Sequence, residues 1–250
     1  GQRPDAGRWT VTADRHLEWE GCYNLRELGG LPTRDGGRTA YGAFVRGDSV
    51  CRLTDRGRRD LLEYGIRTVI DLRSDRELER EPNPFAGLPR ALTYVHRPMN
   101  DPATDASIGH LPTGADRYRS IVDAGGERIT RIAHALAEAE GAVLFHCFGG
   151  RDRTGIVSAI LLRLAGVPDD IIVADYEVTD ERMQPLYEEW RAEMDAARRE
   201  RFDRAIAEAG EPIRAALEHF DERYGGVERY LRRHEALPFD IDRLRSRLLG

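Results

Sequence analysis

A short apolar segment, a glycine-containing loop and a second apolar segment follow one another between residues 142 and 165. Ala142 to His146 predicts a buried strand, because its apolar run is short and continuous. Thr154 to Ala165 predicts a helix that is apolar nearly all round, ended by Gly166 with Pro168 just beyond. A buried strand that leads through a loop into a buried helix is typical of an α/β fold.

The rest of the first 168 residues adds more short strands and helices. Hydrophobic periodicity and cap residues predict helices over 54–65 and 126–140, each ended by a glycine. Runs rich in β-branched residues predict strands, which lie over 8–12, 43–46, 67–72, 92–96 and 142–146. The stretch 82–89 is proline-rich and predicts a loop, and 101–113 predicts a mobile surface loop.

After Pro168 the sequence becomes charged and helical, with almost no strand signal. The predicted helices are separated near Pro185, Gly210, Gly225 and Pro238, and they cover 169–182, 184–209, 211–224, 226–235 and 239–249. We therefore expect one domain over 1–250, with an α/β core over 8–168 and a helical elaboration over 169–250.

Composition excludes several function classes. The formal net charge is -6, which argues against nonspecific nucleic-acid binding. All 38 basic residues are arginine, so Schiff-base catalysis by a lysine amine is excluded. No apolar run approaches the roughly 20 residues of a membrane span, and no signal peptide is recognisable.

The three cysteines bear on the compartment and on metal binding. Cys22, Cys51 and Cys147 cannot all pair with one another, and their spacing does not fit a metal site. We therefore expect a reducing compartment, the cytoplasm, and no metal or other cofactor.

The loop after the predicted strand 142–146 has the properties of an anion site. Gly149 and Gly150 allow a tight turn whose amides point inward, and the next helix adds its N-terminal N–H groups. These amides belong to residues 148–153. Cys147 lies at the floor of this cradle, where amides and arginine favour its thiolate form. Arg153 can donate two hydrogen bonds to an oxyanion above the sulfur, so the loop predicts phosphoryl transfer through a cysteinyl-phosphate.

Cys147, five further residues, Arg153 and Thr154 form the signature loop of cysteine-dependent phosphatases. Other interpretations stay open: an inert buried cysteine, a sulfur-transfer loop like that of rhodaneses, or a degenerate phosphatase that binds phosphate without cleaving it. The glycines and the retained cysteine and arginine favour a working phosphatase.

The decamer HCFGGRDRTG at 146–155 resembles the HCxxGKDRTG loop of bacterial tyrosine phosphatases, the mycobacterial ones included. Other segments are similar to the same family, namely NLRELGG at 24–30, VIDLRS at 69–74, IIVADY at 171–176 and YGGVERYL at 224–231. The resemblance implies a cysteine-phosphatase fold: a central, mainly parallel sheet flanked by helices, with a helical C-terminal half that forms a lid.

Arg151 replaces the lysine of the family loop and retains its phosphate-attracting charge. The resemblance implies no metal and implies a phosphorylated protein, usually phosphotyrosine, or a phosphoinositide as substrate. Phosphate or another oxyanion would bind the backbone amides of the loop and the Arg153 guanidinium. The residues that supply these groups are Phe148, Gly149, Gly150, Arg151, Asp152 and Arg153.

Expulsion of the alcohol needs an acid, and two carboxyl groups are candidates. Asp152 lies inside the loop and is preferred, although it could instead orient Arg151 or Arg153. Asp71 matches a family position that supplies a carboxylate, but it could equally pair with Arg73 or cap a helix.

Two further residues are expected to support the loop. Thr154 donates its hydroxyl to the cysteine sulfur, caps the helix, or does both. His146 tunes the loop through hydrogen bonds and does not act as a base.

Three arginines lie in or beside segments that resemble the family, namely Arg26, Arg46 and Arg73. We leave them out of the predicted site, because most of the arginines in this chain are expected to be surface residues. Asp175 and Tyr176 are expected to pack the helical half onto the loop helix. The sequence thus predicts a protein tyrosine phosphatase with possible dual specificity. The alternatives are a phosphoinositide phosphatase and a non-catalytic phosphate-binding module.

Overall fold

A computed structural model describes residues 15–87 and 92–250. Five strands form one sheet among these residues, and they are β1 (Arg26–Glu27), β2 (Phe44–Gly47), β3 (Ile66–Asp71), β4 (Thr93–His96) and β5 (Ala142–His146). Their order is β1-β2-β5-β3-β4, and only β1 runs antiparallel to its neighbour. The predicted mainly parallel sheet is confirmed, whereas the strand predicted over 8–12 lies outside the described residues.

Twelve α-helices accompany the sheet in the described ranges. Those of the first 168 residues are α1 (Asp55–Tyr64), α2 (Asp75–Arg80), α3 (Pro102–Ile108), α4 (Gly114–Ala124), α5 (Gly126–Glu138) and α6 (Asp152–Leu164). The helical half contributes α7 (Asp169–Arg182), α8 (Gln184–Glu193), α9 (Ala196–Ala207), α10 (Glu211–Tyr224), α11 (Val227–Arg233) and α12 (Pro238–Leu249). None of these helices combines the length and the apolar character that crossing a membrane requires.

The central strand β5 is buried on both faces. Val143 and Phe145 point into a large core that includes α5, α6, α10 and α12. Leu144 points the other way, into a second core with residues of β2 and β3. This burial on both sides explains the continuous apolar run of the strand.

The carboxyl ends of three parallel strands meet at one edge of the sheet. Gly47 of β2 and Asp71 of β3 are both in register with His146 of β5. Ligands of α/β sheets bind at such an edge, just beyond the ends of the strands. The loop 147–151 therefore emerges between the segments that follow β2 and β3.

Residues 101–113 were predicted to form a mobile surface loop, and this prediction was wrong. They contain α3, whose first turn is capped by the carboxylate of Asp101, which accepts a hydrogen bond from the Thr104 N–H at 2.6 Å. Pro102 occupies the first turn of this helix, where its missing N–H carries no penalty. The next helix, α4, was not anticipated either.

One long helix predicted over 184–209 is two helices, so this prediction was also wrong. The break falls at Met194 and Asp195, where the Asp195 carboxylate caps α9 by accepting the Arg198 N–H at 2.8 Å. An aspartate N-cap competes with helix continuation because it supplies a partner for a free N–H group. The two resulting helices, α8 and α9, are called the lid helices below, because their side chains line a cleft over the loop.

Candidate active site

Cys147 follows β5 directly and is almost completely buried. It lies in a cleft of about 660 Å³ whose walls come from the loop, α2, α4 and the lid helices. Phe148, the next residue, is partly exposed, and its ring stacks on Trp190 of α8 with 5.2 Å between centroids. Cys147 thus lies in a cleft that has an aromatic wall.

Three successive carbonyl groups of the loop are held from outside. Each accepts a hydrogen bond from a different residue of the segment 24–49, and the pairs are Ser49 N–H to Phe148 at 2.9 Å, Asn24 Nδ2 to Gly149 at 3.1 Å and Arg46 Nη2 to Gly150 at 2.8 Å. Carbonyls fixed on one side of a tight turn leave the amides on the other. Among the described residues, none accepts a hydrogen bond from the amides of 148–151, so these amides are available to an anion.

Gly150 is required where it stands. Its φ is 69°, in the left-handed region, and a Cβ atom would lie 2.6 Å from the backbone carbonyl of Gly47. Any side chain would therefore push the loop away from β2. Gly150 therefore lets the loop pass close to β2, and it also allows the backbone conformation of the tight turn.

Arg153 in the first turn of α6 is fixed by a carboxylate that the sequence did not point to. Its Nη1 and Nη2 donate to the two oxygens of Glu77 at 2.5 and 2.7 Å. Glu77 in turn accepts hydrogen bonds from the backbone and hydroxyl of Ser74, which caps α2. Burial alone would raise the pKa of Glu77, but the hydrogen bonds and charge of Arg153 lower it to about 2.

Asp152 begins α6 and lines the cleft with Cys147 and Arg153. Its side chain is 55 % exposed, and Oδ1 accepts a hydrogen bond from the Tyr118 hydroxyl of α4 at 2.6 Å. Arg151 Nη1 lies 3.5 Å from the same oxygen. The loop therefore brings a thiol, a fixed guanidinium and a carboxyl group into one cleft.

Comparison with known proteins agrees with this arrangement. The model of a family described as the tyrosine phosphatase family matches residues 17–250. The chain belongs to this family. It is similar to the triple specificity protein phosphatase PtpB of Mycobacterium tuberculosis, at 29% identity over 93% of this chain and 99% of the relative. It is also similar to a tyrosine-protein phosphatase of Nostoc commune, at 31% identity over 82% of this chain and 74% of that relative.

Asp71 of this phosphatase lies away from the cleft lining, at the buried end of β3. Arg73 donates to both of its oxygens, with Nη2 at 2.8 Å, and Asn83 and Tyr94 donate to Oδ2 at 2.9 and 3.3 Å. Burial would raise the pKa of Asp71, but the hydrogen bonds and charge of Arg73, with the hydrogen bond from Asn83, hold it well below its ordinary value. These contacts fit the structural interpretation of Asp71.

His146 and Thr154 are fully buried on either side of the loop. The His146 Nδ1–H donates to the Cys147 carbonyl at 2.9 Å, and Nε2 accepts from Asn83 at 3.2 Å. Burial lowers the pKa of His146, which favours this neutral form. The Thr154 hydroxyl has no hydrogen-bond partner among the described residues.

Arg151 is engaged by protein groups and is nearly buried. Its Nε donates to Asp180 of α7 at 2.8 Å, and Nη2 donates to the Ala205 carbonyl of α9 at 3.2 Å. The sequence assigned this residue a phosphate-attracting charge. In the structure its guanidinium joins the loop 147–151 to α7 and to a lid helix, and Arg151 also lines the cleft.

Asp175 of α7 forms ion pairs with three buried arginines behind the loop. Arg15, Arg26 and Arg46 reach its carboxylate at 2.8, 3.1 and 2.7 Å, and all four side chains are buried. Burial would raise the pKa of Asp175, but the three guanidinium groups hold it well below its ordinary value. Because Arg46 also donates to the Gly150 carbonyl, this cluster supports the loop from the side of its carbonyls, opposite the amides.

Proposed function

We propose that this chain is a protein tyrosine phosphatase that hydrolyses phosphomonoesters through a cysteinyl-phosphate. The observation that carries the proposal is the loop itself. Its carbonyls are held outward by Ser49, Asn24 and Arg46, and Cys147 lies at its base. Arg153 is fixed beside it by Glu77. A thiol below a cradle of amides and a guanidinium suits attack on a bound phosphate.

In the first step the Cys147 sulfur attacks phosphorus while the amides and Arg153 hold the three non-bridging oxygens. The S–P bond forms as the bond to the leaving oxygen breaks, and Asp152 gives its proton to that oxygen. In the second step water attacks phosphorus and returns a proton to the Asp152 carboxylate. The S–P bond breaks, and inorganic phosphate and the thiolate are released.

The remaining predicted residues receive supporting roles in this proposal. Asp71 anchors Arg73 and Asn83 beneath the loop, since its carboxylate is fully engaged. His146 holds the Cys147 carbonyl as a neutral donor. The Thr154 hydroxyl has no hydrogen-bond partner among the described residues, and we assign it the role of a donor to the sulfur at the moment when the thiolate leaves phosphorus.

The cleft walls favour an aromatic substrate. Phe148, Tyr187, Trp190 and Phe202 all line it, and Trp190 and Phe202 lie 6.2 Å apart between ring centroids. Flat rings on the walls stack against a phenyl phosphate more favourably than against an alkyl chain. We therefore propose phosphotyrosine in proteins as the main substrate, with phosphoserine and phosphothreonine as slower ones.

A phosphoinositide is the second candidate substrate because Arg201 also lines the cleft and can donate to a further phosphate. Arg151, the residue expected to serve this purpose, is instead paired with Asp180. A side-by-side assay of phosphotyrosine peptides and phosphoinositide vesicles at equal phosphate concentration decides between them. We expect faster release from the peptides, and faster release from the vesicles would reverse the assignment.

Turnover of p-nitrophenyl phosphate tests the proposal. Cys147→Ser should abolish turnover and still bind phosphate or vanadate, because the cradle amides are unchanged. Cys51→Ser is the matched control, since Cys51 is outside the cleft lining, and it should keep full activity. Appreciable hydrolysis by Cys147→Ser would exclude the covalent route. Phosphate binding by the unaltered chain without any turnover would favour the non-catalytic module.

Two further expectations belong with this proposal. All three cysteines are free thiols, which suits a reducing compartment such as the cytoplasm. Side chains from the α/β part and from the lid helices line the same cleft. We therefore propose that residues 1–250 act as one phosphatase domain.

A further inference from the structure

A buried tyrosine holds the carboxyl group of Asp152. Tyr118 of α4 is 2 % exposed, and its hydroxyl lies 2.6 Å from Asp152 Oδ1 and 2.7 Å from the hydroxyl of Tyr176. Tyr118 also lines the cleft that contains Cys147. The three oxygen atoms form a chain that ends at the proposed acid.

The directions of these hydrogen bonds follow from the number of protons. Each phenol has one proton to donate, and an ionised carboxylate can only accept. Tyr118 therefore donates to Asp152, and Tyr176 donates to the oxygen of Tyr118. The same arrangement holds when Asp152 is protonated on Oδ2, because Oδ1 is then the carbonyl oxygen and still accepts.

The two oxygens of Asp152 are consequently different. Oδ1 receives the Tyr118 hydroxyl and lies near Arg151, whereas Oδ2 has no hydrogen-bond partner among the described residues. An exposed aspartate at the start of a helix would otherwise sample several side-chain rotamers. Fixing Oδ1 leaves Oδ2 as the oxygen that carries the proton toward the cleft.

The tyrosine pair is itself fixed by its surroundings. The rings of Tyr118 and Tyr176 meet edge to face at 6.2 Å, and the Arg151 guanidinium lies 5.1 Å above the Tyr176 ring. Arg151 is in turn bonded to Asp180. The hydroxyl that reaches Asp152 is thus supported by α7 and has little freedom to move away.

We propose that Tyr118 is a positioning residue for the general acid: its hydroxyl fixes Asp152 Oδ1 so that Oδ2 protonates the leaving oxygen. The proposal rests on the proposed function and adds to it a residue on α4 that lies 34 positions from Asp152 in the chain. Correct orientation of a reacting group contributes to rate because less freedom is lost in the transition state.

Tyr118→Phe tests the proposal, since it removes one hydroxyl and keeps the buried ring. The proton matters most for a basic leaving group, so turnover of phenyl phosphate should fall about tenfold and that of p-nitrophenyl phosphate by less than about twofold. Tyr224→Phe is the matched control, because it removes a phenol that donates to Asp123 at 2.6 Å outside the cleft. Both activities of this control should be unchanged. Equal losses on the two substrates in Tyr118→Phe would overturn the proposal.

A double-variant cycle separates positioning from a general structural effect. If Tyr118 acts through Asp152, Tyr118→Phe should cost nothing further once Asp152→Asn is present. A full additional loss in the double variant would contradict the proposal. Failure of the proposed function itself would look different, because the unaltered chain would then not turn over p-nitrophenyl phosphate at all.

Discussion

A single ion pair fixes the orientation of the Arg153 guanidinium. A guanidinium has five N–H donors, and Glu77 takes one from each of the two Nη atoms. The remaining donors stay available on the side of the cleft that Cys147 and Arg153 share. Glu77 therefore both orients the arginine and leaves it able to bind two oxygens.

Glu77→Gln should lower kcat/KM for p-nitrophenyl phosphate by about tenfold, because the loss of a charged, bidentate partner lets Arg153 leave its position. Steady-state kinetics measure the effect. Glu79→Gln is the control on the same helix; Glu79 is exposed and outside the cleft lining, so its replacement should change nothing. Unaltered kinetics in Glu77→Gln would mean that Arg153 needs no anchor.

The same ion pair predicts a dependence of stability on pH. The pKa of Glu77 falls from its ordinary 4.5 to about 2 on folding, so its contribution is complete above about pH 5 and disappears as pH falls through about 2. The difference in free energy of unfolding between the unaltered chain and Glu77→Gln should follow this course. Denaturant titrations from pH 6 to 2 measure it, and a difference that grows on acidification would be incompatible with the ion pair.

At the residue scale most of the predicted site residues come from one short motif, 146–155. Cys147 and Arg153 have fixed spacing and could be predicted from it. Glu77 lies 76 positions from Arg153, and Tyr118 lies 34 from Asp152, so no spacing rule connects them. The sequence Ser74-x-x-Glu77 does match a capping box, but this pattern indicates a helix start and no partner for the loop.

Among the elements, the lid helices control access to the loop through aromatic contacts. Trp190 of α8 stacks on Phe148 and meets Phe202 of α9, whose ring also packs edge to face on Tyr187 at 5.1 Å. These contacts join both helices to Phe148, the residue next to Cys147. The position of the lid is therefore coupled to the shape of the cleft.

Trp190→Ala should raise KM for phosphotyrosine peptides by up to about tenfold, because an aromatic contact contributes about 0.5–1.5 kcal/mol beyond its buried area. The value of kcat should change less, since Cys147 and Asp152 are untouched. Phe239→Ala, which removes an exposed ring outside the cleft, is the control for aromatic removal. A change in kcat alone would contradict a role in binding.

Element boundaries were predicted well where local signals were strong. The predicted strand 142–146 and the helices 169–182 and 211–224 have the observed bounds, and a glycine or proline stands directly before each of them. Two predictions were wrong, the loop over 101–113 and the single helix over 184–209. In each case the prediction missed an aspartate that caps a helix. Asp101 and Asp195 can act as a loop residue or as an N-cap, and only the surrounding packing decides.

For the whole molecule, the Asp175 cluster is the junction of the fold. It joins Arg15 and Arg26 of the N-terminal segment, Arg46 of β2 and the helical half through α7. A buried carboxylate among three guanidinium groups is stable only while every charge has a partner. We therefore expect Asp175 to contribute strongly to the stability of the fold.

Asp175→Asn should reduce the free energy of unfolding by about 3–5 kcal/mol, since it leaves three buried guanidinium groups without a counter-charge. Urea denaturation followed by circular dichroism measures the loss. Asp55→Asn is the control, because its pair with Arg58 is 3.9 Å long and the Asp55 side chain is 90 % exposed. No measurable change is expected there. A loss in Asp175→Asn no larger than in this control would refute the role of the cluster.

The outward-held carbonyls have a consequence for how activity is acquired. Asn24 reaches Gly149 across 125 positions and Arg46 reaches Gly150 across 104, so two distant parts of the chain must meet before the amides point inward. A peptide cut from 142–165 would carry every letter of the motif and still form no oxyanion receptor. Activity therefore appears only after these long-range contacts have formed. An enzyme assay on a refolding sample measures fully folded molecules and does not detect collapsed intermediates.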